Sequence, residues 1–228
     1  RNTAVGAYAL DANTTGDNNT AVGENAGTAT TTGHNNTFIG QDAGEANLTG
    51  DYNVAVGSDA LDAASSADYN VAVGASALSA VTTGTNNVAV GTDAGASATT
   101  VSNNTAIGHF ALQDNTAASN TAVGASALLQ NSTGSEGVAV GKNALATNTT
   151  GVRNVAVGTE ALYLSTTGDD NVAVGKSALQ DHTTGSDNTA LGNYALANNT
   201  TANGNAAVGY YSLETQTSDG ASNTAVGY

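Results

Sequence analysis

The sequence predicts an all-β fold, a parallel β-solenoid with coils of about 17 residues, and three observations predict it. The pentapeptide Asn-Val-Ala-Val-Gly, or its variant Asn-Thr-Ala-Val-Gly, recurs from the first residues to the last. The aliphatic residue before each glycine recurs at spacings of 17 residues, with one spacing of 16 and one of 18. A second column, mostly leucine, follows each glycine at a constant distance.

The repeat covers the whole chain, so we expect residues 1–228 to form a single repeat array with fourteen starts of one unit. Such regular spacing of bulky aliphatic residues excludes a disordered chain. We expect the array to be a fragment of a longer fibre.

Each coil is numbered here from the first residue of its pentapeptide, which is Asn in all copies except Gly137. Positions 2 and 4 are mostly β-branched, so we predict a short strand with these side chains in the core. Position 3, almost always Ala, would then face outward, because side chains alternate along a strand. We expect this stripe of small residues to be an oligomer interface, which Ala139→Arg together with Ala156→Arg should disrupt.

Glycine at position 5 is expected to form a turn that needs a positive φ or a close backbone approach. The turn glycines are Gly6, Gly23, Gly40, Gly57, Gly74, Gly91, Gly108, Gly124, Gly141, Gly158, Gly175, Gly192, Gly209 and Gly227. A second short segment follows, with Ala or Ser at position 8 and Leu at position 9, where Gly27, Gly44 and Gly95 are exceptions. The leucines should fill the core, and the frequent Thr-Thr-Gly at positions 13 to 15 suits a surface turn.

The asparagines of position 1 should stack in register and hydrogen-bond along the solenoid as a structural ladder. They are Asn2, Asn19, Asn36, Asn53, Asn70, Asn87, Asn104, Asn120, Asn154, Asn171, Asn188, Asn205 and Asn223. Gly137 interrupts this column.

The net charge of −15 is the wrong sign for a nucleic-acid groove, and we expect no nucleic-acid partner. No run of 18 apolar residues occurs, so we expect no membrane insertion in this segment. The chain has no cysteine, which excludes disulfides and thiolate metal sites.

The pentapeptides, followed after two residues by Ala, resemble the head repeats of YadA-like trimeric autotransporter adhesins and the related repeat arrays of phage tail-fibre proteins. The resemblance spans essentially the whole chain, although adhesin head repeats are commonly a few residues shorter per coil. It implies a left-handed parallel β-roll with aliphatic residues inside each roll, and three chains side by side in a homotrimer.

Aromatic side chains are candidate receptor contacts, because protruding tyrosines bind glycans and proteins. Covering the rim of an interface is the alternative. The candidates are Tyr8, Tyr52, Tyr69, Phe110, Tyr194 and Tyr211. Tyr52 and Tyr69 occupy the same position in adjacent coils and should stack.

No catalytic set and no cofactor motif stands out, so we expect no enzyme, no cofactor and no metal. His34, His109 and His182 are expected on the surface, too scattered to share a metal ion. Acidic residues cluster at the Thr-Thr-Gly corner, where a bound cation is a weak alternative. These acids are Asp17, Asp51, Asp169 and Asp170.

The sequence thus favours a structural and adhesive fibre module, extracellular, in a phage tail fibre or on a bacterial surface. Its expected partners are two further copies of itself and a host-surface glycan or protein. An ice-binding solenoid is the first alternative, since position 14 repeats a hydroxyl at about 4.8 Å spacing. That column is Thr15, Thr32, Thr49, Ser66, Thr83, Thr100, Ala117, Thr133, Thr150, Thr167, Thr184, Thr201 and Ser218. A subunit of an extracellular filament is the second alternative.

Overall fold

The structure is a computed structural model that describes residues 1–215 and 221–228. Ser218 of the position-14 column lies outside the described residues. The chain forms two compact units, Arg1–Ala118 and Ser119–Tyr228. The boundary between them lies just before Ser119, the last residue of the 16-residue coil that begins at Asn104.

Each unit is built from three-residue strands at positions 2 to 4 of successive coils. The strands described in the first unit are β1 (Thr3–Val5), β2 (Thr20–Val22), β3 (Thr37–Ile39), β4 (Val54–Val56), β5 (Val71–Val73), β6 (Val88–Val90) and β7 (Thr105–Ile107). Those of the second unit are β8 (Thr121–Val123), β9 (Val138–Val140), β10 (Val155–Val157), β11 (Val172–Val174), β12 (Thr189–Leu191), β13 (Ala206–Val208) and β14 (Thr224–Val226).

Neighbouring strands are parallel and in register, so each residue pairs with the same position one coil later. Val155 pairs with Val172 and Ala156 with Ala173. The strands pair in sequence order, β1 to β7 in the first unit and β8 to β14 in the second. The predicted all-β parallel solenoid with coils of about 17 residues is confirmed.

The predicted orientation of the strand side chains is wrong. In strands β2 to β13 the middle residue is buried and the residues on either side of it are not. Ala139 and Ala156 are 0% exposed, whereas Val140 is 37% exposed. The alanines therefore face the core and cannot form the expected interface stripe, and arginine at either position would disrupt the fold itself.

The interior of the coil is narrow, and this explains the inversion. Position 9 supplies a leucine, of which Leu61 and Leu145 are fully buried. Position 3 lies opposite position 9, since a Cβ built on Gly27 would stand 2.6 Å from Cδ2 of Phe38. A leucine on one side leaves room for only an alanine on the other, so the larger valines face outward.

The leucines adopt a left-handed backbone conformation, with φ of +54° at Leu61 and +52° at Leu145. This conformation costs a residue with a Cβ about 1–2 kcal/mol. Burying a leucine side chain contributes about 1.5–3 kcal/mol, so burial outweighs the backbone strain. Backbone pairing adds to it, because the Leu61 N–H donates to the Ala77 carbonyl at 3.0 Å.

Phe38 is the exception at position 3, and the sequence compensates for it. The ring is fully buried. The leucines that it would overlap are absent, because position 9 is Gly27 in the preceding coil and Gly44 in its own. One large side chain thus occupies the space that two leucines leave empty.

We expect Phe38→Ala to lower the free energy of unfolding by about 3–5 kcal/mol, since truncation of a buried Phe leaves a cavity. Chemical denaturation followed by circular dichroism measures the loss. The triple variant Phe38→Ala, Gly27→Leu, Gly44→Leu should recover most of it, because it recreates the alanine–leucine packing of the other coils. Gly44→Leu alone should destabilise the fold by overpacking. A triple variant no more stable than Phe38→Ala would contradict the compensation.

Candidate functional site

The asparagines of position 1 form a buried hydrogen-bonded ladder. The backbone N–H of Asn36 donates to Asn19 Oδ1 at 2.9 Å, and Asn36 Nδ2 donates to the Gly50 carbonyl at 2.7 Å. At the break, the Gly137 N–H still donates to Asn120 Oδ1 at 2.8 Å, but Gly137 has no side chain with which to accept from the next coil. The amides also bond to each other, as Asn36 Nδ2 does to Asn19 Oδ1 at 3.1 Å, so the column links each coil to the next and holds the coils in register.

The turn glycines allow neighbouring coils to approach closely. Gly57 has φ of +139°, and a Cβ built on it would lie 2.6 Å from the Gly74 carbonyl carbon. Any side chain here would collide with the backbone of the next coil.

The acidic side chains at position 16 accept hydrogen bonds from backbone N–H groups of the preceding coil. Asp51 Oδ1 accepts from the His34 N–H at 2.6 Å, and Asp169 Oδ1 accepts from the Val152 N–H at 2.9 Å. Asp17 pairs with the terminal amine at 2.7 Å. Among residues 1–215 and 221–228, no three His, Cys, Asp or Glu side chains come together in a way that could hold a metal ion.

Asp170, the fourth acid of that corner, pairs with a basic residue one coil earlier. The Arg153 guanidinium donates to both carboxylate oxygens, at 2.6 and 2.7 Å. This hydrogen bonding lowers the pKa of Asp170 and raises that of Arg153.

One histidine departs from the expected surface placement. His182 is fully buried, and its Nε2 has no hydrogen-bond partner, while Nδ1 lies 3.4 Å from Ser165 Oγ. His109 is exposed and His34 is half-buried. Position 12 holds Ala64 and Val81 in other coils, and these residues are the signal that the column faces inward.

The candidate receptor contacts separate into different places. Tyr52 and Tyr69 stack as expected, with ring centroids 5.1 Å apart and planes 4° apart. Tyr8 is 65% exposed. Phe110 stands against His109, with ring centroids 3.6 Å apart.

Tyr194 and Tyr211 form a larger aromatic group. Their rings stack at 4.9 Å, and Tyr210 and Tyr228, which the sequence did not single out, contact the same group. Lys176 Nζ lies 5.5 Å from the Tyr194 ring centroid. These five residues are called the tyrosine cluster below.

The hydroxyls of the Thr-Thr corner divide into two rows. At position 13 they donate to the carbonyl of the next coil, as Thr166 Oγ1 does to the Thr183 carbonyl at 3.0 Å. At position 14 the threonines are exposed, for example Thr167 and Thr184. The second row is therefore the one that presents side chains to solvent.

The outer side of the strands carries exposed aliphatic side chains at position 4 and half-buried valines or threonines at most copies of position 2. This surface, formed by positions 2 and 4, is called the aliphatic face. In the first unit Val22 is 37% and Ile107 39% exposed, and in the second unit Val174 is 38% and Leu191 39% exposed. Neither position carries a charged residue in any coil, although the chain has a net charge of −15. Contiguous exposed apolar surface of this kind marks interaction sites.

A scan against protein-family models finds no match, and a search of the curated proteins finds none either. Within the part of the chain that the structure describes, no helix has the length and apolar character needed to cross a membrane.

The buried histidine predicts a pH dependence of stability. Burial lowers the pKa of His182 from 6.5 to about 4. The unfolded chain therefore binds the proton more tightly than the folded one, so the contribution of the neutral imidazole is intact above pH 6.5 and declines as the pH falls towards 4. The full difference corresponds to about 3 kcal/mol.

His182→Asn should remove this part of the acid sensitivity, because asparagine is already buried at the same position as Asn148 and Asn199. Urea unfolding at pH 7 and pH 4.5 measures it. His109→Asn, at an exposed ring, is the matched control and should behave as the unsubstituted protein. If the His182→Asn variant loses as much stability on acidification as the control, the buried neutral imidazole of His182 is not a cause of the acid sensitivity.

Proposed function

We propose that this protein is a structural and adhesive fibre module, a homotrimeric β-solenoid that serves as a rigid shaft or head outside the cell. The aliphatic face is the observation that carries the proposal. The backbone of the strands is already paired along each unit, so a partner on this face is held by side-chain packing. A flat, uncharged and regularly spaced surface of β-branched residues suits such packing.

The partner we propose for this face is a second and a third copy of the chain. Identical copies present the same one-coil spacing, so their side chains interdigitate in register along the whole face. Cyclic association closes the contact and leaves no aliphatic face exposed. The net charge of −15 then stays on the outside of the assembly, where it maintains solubility.

The number three comes from the resemblance of the repeats to adhesin heads and tail-fibre arrays, which also supports the location. We place the module on a virion tail fibre or a bacterial cell surface. Its mechanical role is to hold a receptor-binding surface away from its base, and its receptor is a glycan or protein of the host surface.

Light scattering after gel filtration tests the assembly, with an expected mass three times that of the 22.1 kDa chain. The paired substitutions Val140→Arg and Val174→Arg should yield monomers, because each places a charge on the aliphatic face. Circular dichroism should show that the fold survives, since both side chains point outward.

The matched control is Thr150→Arg with Thr167→Arg, which places the same charges in the exposed position-14 row. This control should remain trimeric. A monomeric unsubstituted protein would contradict the proposed trimer. A Val140→Arg, Val174→Arg variant that remains trimeric would show that the contact between chains is not on the aliphatic face.

Ice binding is the second candidate function, and the exposed position-14 row favours it. Thr150, Thr167 and Thr184 stand in successive coils, at a spacing of about 4.8 Å. The position-13 hydroxyls, however, are engaged by the backbone, so a single row faces the solvent.

If the row binds ice, the protein shows thermal hysteresis, and Thr167→Lys reduces it by breaking the flat array of methyl and hydroxyl groups. Nanolitre osmometry at millimolar protein measures the freezing gap. Val174→Arg, on the aliphatic face, serves as the control that should leave the gap unchanged. A protein with no freezing gap is not an ice binder.

A further inference from the structure

The tyrosine cluster lies in the second unit at positions 6 and 7, where the coil turns after its strand. Tyr194 and Tyr211 stack with their planes 6° apart, and Tyr210 stands at 73° to Tyr211 with 4.3 Å between the ring centroids. Tyr210 also contacts Tyr228, with 5.7 Å between centroids. Tyr210 is 46% exposed, so aromatic surface meets solvent here.

The fold itself does not require these rings. The same two positions are Ala75 and Ser76 in the first unit, and Ala125 and Ser126 in the second. Ser76 and Ser126 have the same left-handed backbone conformation as Tyr211, with φ of +54°, +57° and +57°. Because the coil forms equally with a methyl and a hydroxymethyl group, large exposed rings at this corner point to a role outside the fold.

Polar donors surround the rings. A hydrogen bond with Tyr194 raises the pKa of Lys176, and a hydrogen bond with Tyr210 raises the pKa of Tyr211 to about 12. The Lys176 backbone N–H is held by Asn193 Oδ1 at 2.8 Å, which fixes the start of the lysine side chain. Ammonium and phenol groups thus stand beside the ring surfaces.

Both lysines of this strongly acidic chain are in the same column. Lys142 and Lys176 occupy position 6 two coils apart, which corresponds to about 10 Å along the ladder. Tyr210 continues this column two coils beyond Lys176. The cluster therefore combines aromatic surface with a positive charge, on a chain with a net charge of −15.

We propose that the tyrosine cluster binds a pyranose ring of an oligosaccharide. A pyranose is amphipathic in the same way as tyrosine: one face presents C–H groups and the edge presents hydroxyls. The C–H face packs on an exposed tyrosine ring, and the phenol and Lys176 ammonium groups hydrogen-bond the hydroxyls or a sugar carboxylate. Rigid tyrosines lose little conformational entropy on such binding. The inference rests on the proposed adhesive function and names its ligand class and its site.

The double variant Tyr210→Ala, Tyr211→Ser tests the site. It replaces the two tyrosines by the residues found at the same positions in another coil, Ala125 and Ser126, so the fold should be kept. The control is Tyr163→Gln, which removes a tyrosine that belongs neither to the cluster nor to the candidate receptor contacts. The same coil position, position 10, is already glutamine at Gln113 and Gln180, so the control should also fold. Circular dichroism and the oligomeric mass verify both variants.

The probes are immobilised neutral hexose, N-acetylhexosamine and uronic-acid oligosaccharides, followed by calorimetric titration of the strongest binder. We expect the full chain to bind at least one of them, the Tyr210→Ala, Tyr211→Ser variant to bind at least tenfold more weakly, and the control to bind normally. No binding to any oligosaccharide, or binding that survives loss of both tyrosines, would overturn the proposal.

Lys176→Gln distinguishes the two kinds of sugar. Weakened binding of uronic-acid probes alone, with a strong dependence on salt, indicates a carboxylate partner. A similar loss for neutral probes indicates hydrogen bonds to hydroxyls. Saccharide binding by a monomeric protein would support the saccharide site and contradict the trimer. A trimer that binds no saccharide would support the trimer and contradict the saccharide site.

Discussion

The width of the coil interior is the constraint on which the rest of this structure depends. Leucine from position 9 meets alanine from position 3, and Phe38 occupies the interior only because Gly27 and Gly44 replace the leucines opposite it. Since alanine must face inward, the alternation of a strand directs the residues at positions 2 and 4 outward. The aliphatic face is thus a direct consequence of the narrow core. It leaves the solenoid with an uncharged, partly aliphatic surface, and burying that surface against a partner would be favourable.

The period of the sequence was sufficient to predict the class of fold, the length of the coil and the place of every strand, because only in-register stacking explains a constant spacing. The orientation of the strands was not predicted, because valine suits both a buried and a half-exposed strand position, and propensity does not distinguish them. The asparagines of position 1 indicate which side of the strand faces the interior. Asn36 and Phe38 lie on the same side of the strand, and a ladder of amides shielded from water belongs in the interior. Consistent use of that ladder would have placed the alanines inside as well.

The surface was less predictable than the core. His182 looked like any exposed histidine, since its direction depends on the column in which it lies, and Ala64 and Val81 show that column to be internal. Tyr194 and Tyr211 stood out because they share one position, whereas Tyr210 occupies a position that holds residues as different as Glu24, Ala75 and Lys142. Its contact with the other rings is visible only in the ring geometry, which no spacing along the chain encodes.

This freedom at position 6 connects the stability of the fold to its proposed function. The interior, the asparagine ladder and the turn glycines recur with few exceptions, such as Gly137, because each one packs against or hydrogen-bonds to its counterpart one coil away. The corner that follows the glycine carries no such requirement, and the coil forms there with alanine, glutamate, lysine or tyrosine. A binding surface assembled from these corners consists of side chains about 4.8 Å apart on a fixed backbone. Substitutions there change the exposed side chains at little cost in stability, so under the proposed function the same scaffold would present different surfaces to different receptors.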